Sequence, residues 1–100
     1  MSAENHYLDA IEALDSGDRE GALEKAYQAV KLDPEHVDAW QLISDAHLLA
    51  DGKAANLIDA SKSLTAVRTI TKLDPTRIDM WVRGGRLLAD ELGLMFDALD

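Results

Sequence analysis

The sequence predicts an all-α protein of about five helices, paired as antiparallel hairpins that repeat along one domain covering residues 1–100. Three observations predict it. A nine-residue segment recurs 41 residues further on. Between its two copies the apolar residues follow the three-and-four spacing of helices. Proline and glycine stand where such helices would have to stop, and no stretch alternates apolar and polar residues as a strand does.

The recurrence joins Leu32-Asp33-Pro34-Glu35-His36-Val37-Asp38-Ala39-Trp40 to Leu73-Asp74-Pro75-Thr76-Arg77-Ile78-Asp79-Met80-Trp81, with five of nine residues identical and Val37 replaced conservatively by Ile78. The same shift carries Gly52 onto Gly93. Proline has no amide proton and disfavours helical geometry in the residue before it, so each Leu-Asp-Pro closes one helix and turns the chain. The next helix starts near Val37 or Ile78, with Asp38 and Asp79 in its first turn, where a negative charge suits the positive end of the helix dipole.

In chain order, Ala10, Ile11 and Leu14 place a first helix over roughly 3–15. Gly17-Asp18 is a turn. Ala22, Leu23, Ala26, Ala29 and Val30 give a second helix over roughly 19–32. Trp40, Ile43, Ala46, His47 and Ala50 line a third, roughly 37–51, closed at Asp51-Gly52 by a glycine free to take left-handed dihedrals. A fourth, roughly 54–72, carries Leu57, Ala60, Leu64, Val67 and Ile70 on one stripe; Asn56 and Asp59 also permit a loop or short turn around Ala54 to Asp59. The fifth starts at Ile78 and is expected to turn at Gly93 into an incomplete partner helix. The units are thus about 3–36, 37–77 and 78–100.

Composition sets limits on function. Nineteen acidic residues against ten basic ones give a net charge of −9, which repels phosphate backbones and anionic lipid, so nucleic acid and membrane surfaces are not expected partners. Without cysteine there is no disulfide, thiolate metal site or cysteine nucleophile. The opening residues lack the basic-then-apolar layout of a signal peptide, and no run has the ~18 apolar residues of a membrane span. A cytoplasmic protein is expected.

These residues resemble the tetratricopeptide repeat. Its hairpin has an aromatic early in the first helix, a small residue one turn later, glycine at the turn, alanines in the second helix and a closing proline. Ala10, Gly17, Ala22, Ala29 and Pro34 match in the first unit. Trp40, Ser44, Gly52, Ser63 and Pro75 match in the second, and Trp81, Gly85, Gly93 and Ala98 in the third. The resemblance implies a right-handed superhelix of hairpins whose small residues allow close helix packing, with Trp40 and Trp81 in the core. Three departures stand out. His6 or Tyr7 replaces the tryptophan of the first unit and Asp9 an apolar residue, as in a degraded or capping repeat. The second unit has 41 residues against the usual 34, which suggests a fourth helix lengthened by nearly two turns. The third stops seven residues after Gly93, as a cut array would, or as a surface that pairs.

The same resemblance implies a concave, mostly acidic groove lined by Asp38, Gln41, Asp45, Leu49, Asp79, Val82, Arg86 and Asp90, suited to a protein or peptide of basic or mixed charge. The lysines and asparagines by which relatives grip chaperone tails are missing: those positions hold Tyr7, Ile11, Leu42 and Asp79, with only Arg83 basic. Leu94, Met95, Phe96 and Leu99 form a second candidate, an apolar surface for homo-oligomerisation. No enzyme, cofactor or metal is expected. His47 and Asp51 share a helix face but are too few for a metal site, His6 and His36 stand beside no nucleophile set, and Gly84-Gly85 lacks the phosphate-loop spacing and reads as close helix packing.

Overall fold

The computed structural model describes residues 2–49 and 51–99, and their side chains as far as Met95. Five helices follow one another: α1 Ala3–Asp15, α2 Arg19–Leu32, α3 Val37–Ala46, α4 Leu57–Leu73 and α5 Ile78–Leu99. There is no strand among the described residues. Each helix packs on its neighbour in sequence, α1 also touches α3, and the molecule measures 47 × 30 × 20 Å.

The helix starts are written in local hydrogen bonds. Ser2, Asp18 and Asn56 each accept the amide of the residue three positions on, the usual way of satisfying free N–H groups at a helix start. At α3 the cap is His36, whose Nδ1 accepts from the Ala39 amide at 3.1 Å. Gly17 and Gly52, at φ 86° and 84°, are the described residues with positive φ, and each makes a turn that a side chain would strain.

The 41-residue repeat is reproduced in three dimensions. Asp33 and Asp74 take φ/ψ of −137°/91° and −140°/86°, and each carboxylate accepts an amide two residues on. Trp40 Nε1–H donates to the Pro34 carbonyl at 2.8 Å, and Trp81 Nε1–H to that of Pro75 at 2.9 Å. The tryptophan thus clamps the link that precedes its own helix.

Alanines make the first half of the core close-packed: Ala10, Ala22, Ala26, Ala29 and Ala39 are fully buried, with Ile43 beside them. A second cluster joins Leu64, Val67 and Ile70 of α4 to Met80 and Leu87 of α5, and Trp40 packs against both clusters. Each large apolar side chain so buried contributes about 1.5–3 kcal/mol.

Four expectations need correction. Helix α3 ends at Ala46, not near residue 51, because the chain leaves the helix through a turn closed by the Gly52 amide on the Leu49 carbonyl and the Leu49 amide on that of Lys53. Helix α4 begins at Leu57, capped by Asn56, so the loop alternative holds for Ala54 to Asn56. The extra seven residues of the second unit therefore reside in the connector: α4 is three residues longer than α2, but α3 is three shorter than α1. Gly93 makes no turn, since α5 runs on through it for 22 residues. Trp81 is 56% exposed rather than core: it lines an open cavity with Leu64, Val67, Arg68 and Thr71 of α4, and among the described residues no further helix closes that cavity.

Candidate functional site

Side chains of α1 and α3 meet at one cavity, and side chains of α5 and of the link before it reach α3. Between α1 and α3 lies an open cavity of about 270 Å³. Tyr7, Ile11, Leu14 and Leu42 give it apolar walls, and Asp38, Gln41 and Asp45 bring polar groups to it. Burial first, and then the nearby Asp38 and Glu4 carboxylates, push the Tyr7 phenol above its usual range. Tyr7 is also held by a tilted stack on His36, with ring centroids 4.9 Å apart, and His36 Nε2 lies 2.9 Å from Glu4.

Between α3 and α5 the connection is ionic. Arg77 donates to Gln41 Oε1 at 2.8 Å and to both carboxylate oxygens of Asp79, at 3.0 and 2.9 Å. The hydrogen bond from Arg77 holds the Asp79 carboxyl below its ordinary value, although the group is exposed. Arg83 donates to Asp45 and to Ser44 Oγ, 3.2 Å away. Ser44 in turn sits 2.8 Å from Ser63, a buried hydroxyl pair that joins α3 to α4. A second cavity of about 230 Å³ lies beside Arg83, Arg86 and Asp90, against the turn at Asp51-Gly52.

Compared with protein-family models and with curated proteins, the chain matches none. Its own geometry therefore carries the functional reading. Asp38, Gln41 and Asp45 come together at the α1/α3 cavity, and Arg86 and Asp90 at the other. Asp79 is tied to Arg77 at the rim. Val82 is exposed outside both cavities, and Leu49 lies in the turn beyond α3 rather than on a helix. Of the apolar set, Leu94 is partly buried and Met95 is exposed. Phe96 and Leu99 have side chains outside the described residues.

The face is less acidic than the expected lining alone. Arg77 and Arg83 were not in that lining, yet Arg77 pairs with Asp79 beside it and reaches Gln41 of α3, and Arg83 reaches across to Asp45. Only the recurrence, which puts Arg77 opposite His36 in the link, hinted at Arg77.

His47 is 6% exposed, as a packed histidine should be, and it is wired. Its Nε2 lies 3.2 Å from the Tyr27 hydroxyl, and its Nδ1 3.0 Å from Asp59, which also accepts from Arg19 at 3.0 Å and Asn56 at 3.0 Å. Burial alone would raise the Asp59 carboxyl, but hydrogen bonds and charge from His47 and Arg19 bring it below the ordinary value. The network fastens the start of α4 to the end of α3 and to Arg19 and Tyr27 of α2. Among the described residues no group of three His, Asp or Glu side chains is placed to hold a metal, and no helix is long and apolar enough to cross a membrane.

Proposed function

We propose that this protein is a cytoplasmic interaction module of the tetratricopeptide-repeat kind, which holds a peptide or protein segment of basic or mixed charge on the face formed by α1, α3 and α5. The observation that carries the reading is the α1/α3 cavity, where apolar walls from Tyr7, Ile11, Leu14 and Leu42 meet the carboxylates of Asp38 and Asp45. An extended segment with an apolar side chain next to a lysine or arginine fits such a surface: the apolar group fills the hollow, and the cation steers the encounter and fixes register.

Arg77 and Arg83 refine the charge preference. They occupy Asp79 and Asp45 in the free protein, so a cationic ligand competes for those carboxylates, while Asp38 makes no ion pair among the described residues. A segment bearing both signs gains from both sets of side chains.

The experiment is an array of peptides varied in charge, probed with the wild-type protein and with a variant carrying Asp38→Asn, Asp45→Asn and Asp79→Asn. Binding concentrated on basic and mixed-charge peptides, and weakened about tenfold or more in the variant, is the expected result. Capture that the three substitutions leave unchanged rejects the surface.

A further inference from the structure

The two links of the recurrence differ in how they start the next helix. Where the first has His36, the second has Arg77. Their carbonyls behave alike: that of His36 accepts from the Trp40 amide at 3.2 Å, and that of Arg77 from the Trp81 amide at 3.3 Å. The amide before each tryptophan does not. Met80 N–H donates to the Arg77 carbonyl at 3.1 Å, whereas Ala39 N–H donates to the His36 ring, at Nδ1, also at 3.1 Å. The Arg77 guanidinium turns instead to the carboxylate two residues on, Asp79. In the first link that carboxylate is Asp38, which lines the α1/α3 cavity and makes no ion pair among the described residues.

Hydrogen bonding fixes the state of the His36 ring. A ring nitrogen that accepts an N–H bears no proton, so Nδ1 is bare, and Nε2–H donates to Glu4 at 2.9 Å. The ring is therefore neutral in this arrangement. A second proton has only Nδ1 to go to. There it meets the Ala39 amide donor to donor, which breaks the cap and sets a cation on the positive end of α3. His47 differs: its Nδ1 faces the Asp59 carboxylate and its Nε2 the Tyr27 hydroxyl, which accepts as readily as it donates, so a proton taken up there costs no hydrogen bond. Around His36 stand Glu4 at 2.9 Å and the Tyr7 ring at 4.9 Å, both from α1, with Asp33 and Glu35 in its own link and Asp38 in the first turn of α3. The charged groups among them are all carboxylates.

We infer that His36 is a proton-operated switch on the peptide face. Neutral, it caps α3 and leaves Asp38 open to a cationic ligand. Protonated, it gives up the cap and the first link takes the form of the second: the Ala39 amide turns to the His36 carbonyl, and the imidazolium to Asp38 as Arg77 turns to Asp79. The exchange stands on the two links alone; its effect on binding rests on the peptide surface proposed above. Protonation takes a carboxylate from the cavity, sets a positive charge beside it, and ends the stack on Tyr7, which is one of its walls. Each of these weakens the hold on a cationic segment in acid.

Imidazole nitrogen NMR of the full chain tests the exchange. At about pH 8, where histidines are ordinarily neutral, His36 should show a bare Nδ1 and a protonated Nε2, the reverse of His47. On acidification to about pH 5.5, above the range in which carboxylates ordinarily titrate, the Ala39 amide signal should move together with the His36 ring. A proton on His36 Nδ1 in the neutral ring, or an Ala39 amide that does not follow the ring, overturns the inference. The effect is read with a histidine-free peptide of alternating leucine and lysine. Its affinity for the wild type should fall about two- to fivefold between those pH values, the worth of one exposed ion pair. His36→Asn keeps a capping acceptor without a titrating ring, and should bind equally at both. His36→Arg, which builds the second link's form, should bind at the weaker level at both. Equal pH dependence in the wild type and His36→Asn overturns the switch. A peptide that binds none of the three proteins rejects the proposed surface, and the NMR result then decides the exchange by itself.

Discussion

Asp59 shows how one carboxylate can hold a junction. It lies under the end of α3, accepts from Arg19, Asn56 and His47, and is 15% exposed at its side chain. Asp59→Asn keeps the shape but removes the charge, and should cost about 1–3 kcal/mol in urea unfolding at neutral pH. The pH dependence has a definite sign. The folded carboxyl titrates below the ordinary value of 3.8, so its contribution is complete above that value and is lost as pH falls through the lower folded one. The gap between wild type and variant should therefore be full at neutral pH and close in acid below that window. A gap that persists there counts against the network. His47 was legible as a packed histidine from its place on the third helix. Its partners were not, because Tyr27 and Asp59 lie 20 and 12 residues away and meet it only through packing.

At the scale of elements, glycine separates what local sequence decides from what it does not. Gly17 takes φ 86° between two helices three residues apart, and Gly17→Ala should destabilise the protein by about 1–2 kcal/mol. Gly93 aligns with Gly52 in the repeat but is helical in the interior of α5, and a Cβ there meets nothing within 4 Å. Gly93→Ala should accordingly raise stability by about 0.5–1 kcal/mol, read as a higher melting temperature with no loss of helical circular dichroism. A destabilised Gly93→Ala protein would instead point to a turn at that position. The same glycine thus reads as a turn in one unit and helix in the other. In the second unit Leu49, Gly52 and Lys53 close a hydrogen-bonded turn and Asn56 restarts the helix, whereas α5 passes through Gly93 unbroken.

The described core is two apolar clusters in a row, one built by α1, α2 and α3 with Ala66 of α4 and the other by α4 and α5, and Trp40 packs against both. Trp40→Ala removes the shared side chain and the hydrogen bond to Pro34, and should cost about 3 kcal/mol. Because the loss falls at the junction, unfolding in urea should also become less cooperative, with a smaller dependence on denaturant than the wild type shows. Trp81→Ala, at the exposed end, should cost far less in a single chain. Equal costs for the two tryptophans would show that the clusters do not depend on Trp40 for their coupling. A row of helices with two such clusters leaves long faces open, which is what the proposed peptide surface uses.

Sequence alone determined the all-helical class, the helix count and both boundaries of α1 and α2, because each of those features is fixed by neighbours within a few residues: caps, prolines, a turn glycine and apolar spacing. The nine-residue recurrence was legible there too, but that its tryptophan donates to the proline carbonyl was not. The tertiary structure decided the rest. The partners of His47 depended on how α2 and α4 pack against the end of α3, and whether Trp81 is core or surface depended on which helix lies over it. The charge of the α1, α3 and α5 face depended on two arginines reaching across from α5 and its link. Those outcomes rest on contacts between residues far apart in the chain, which local spacing does not encode.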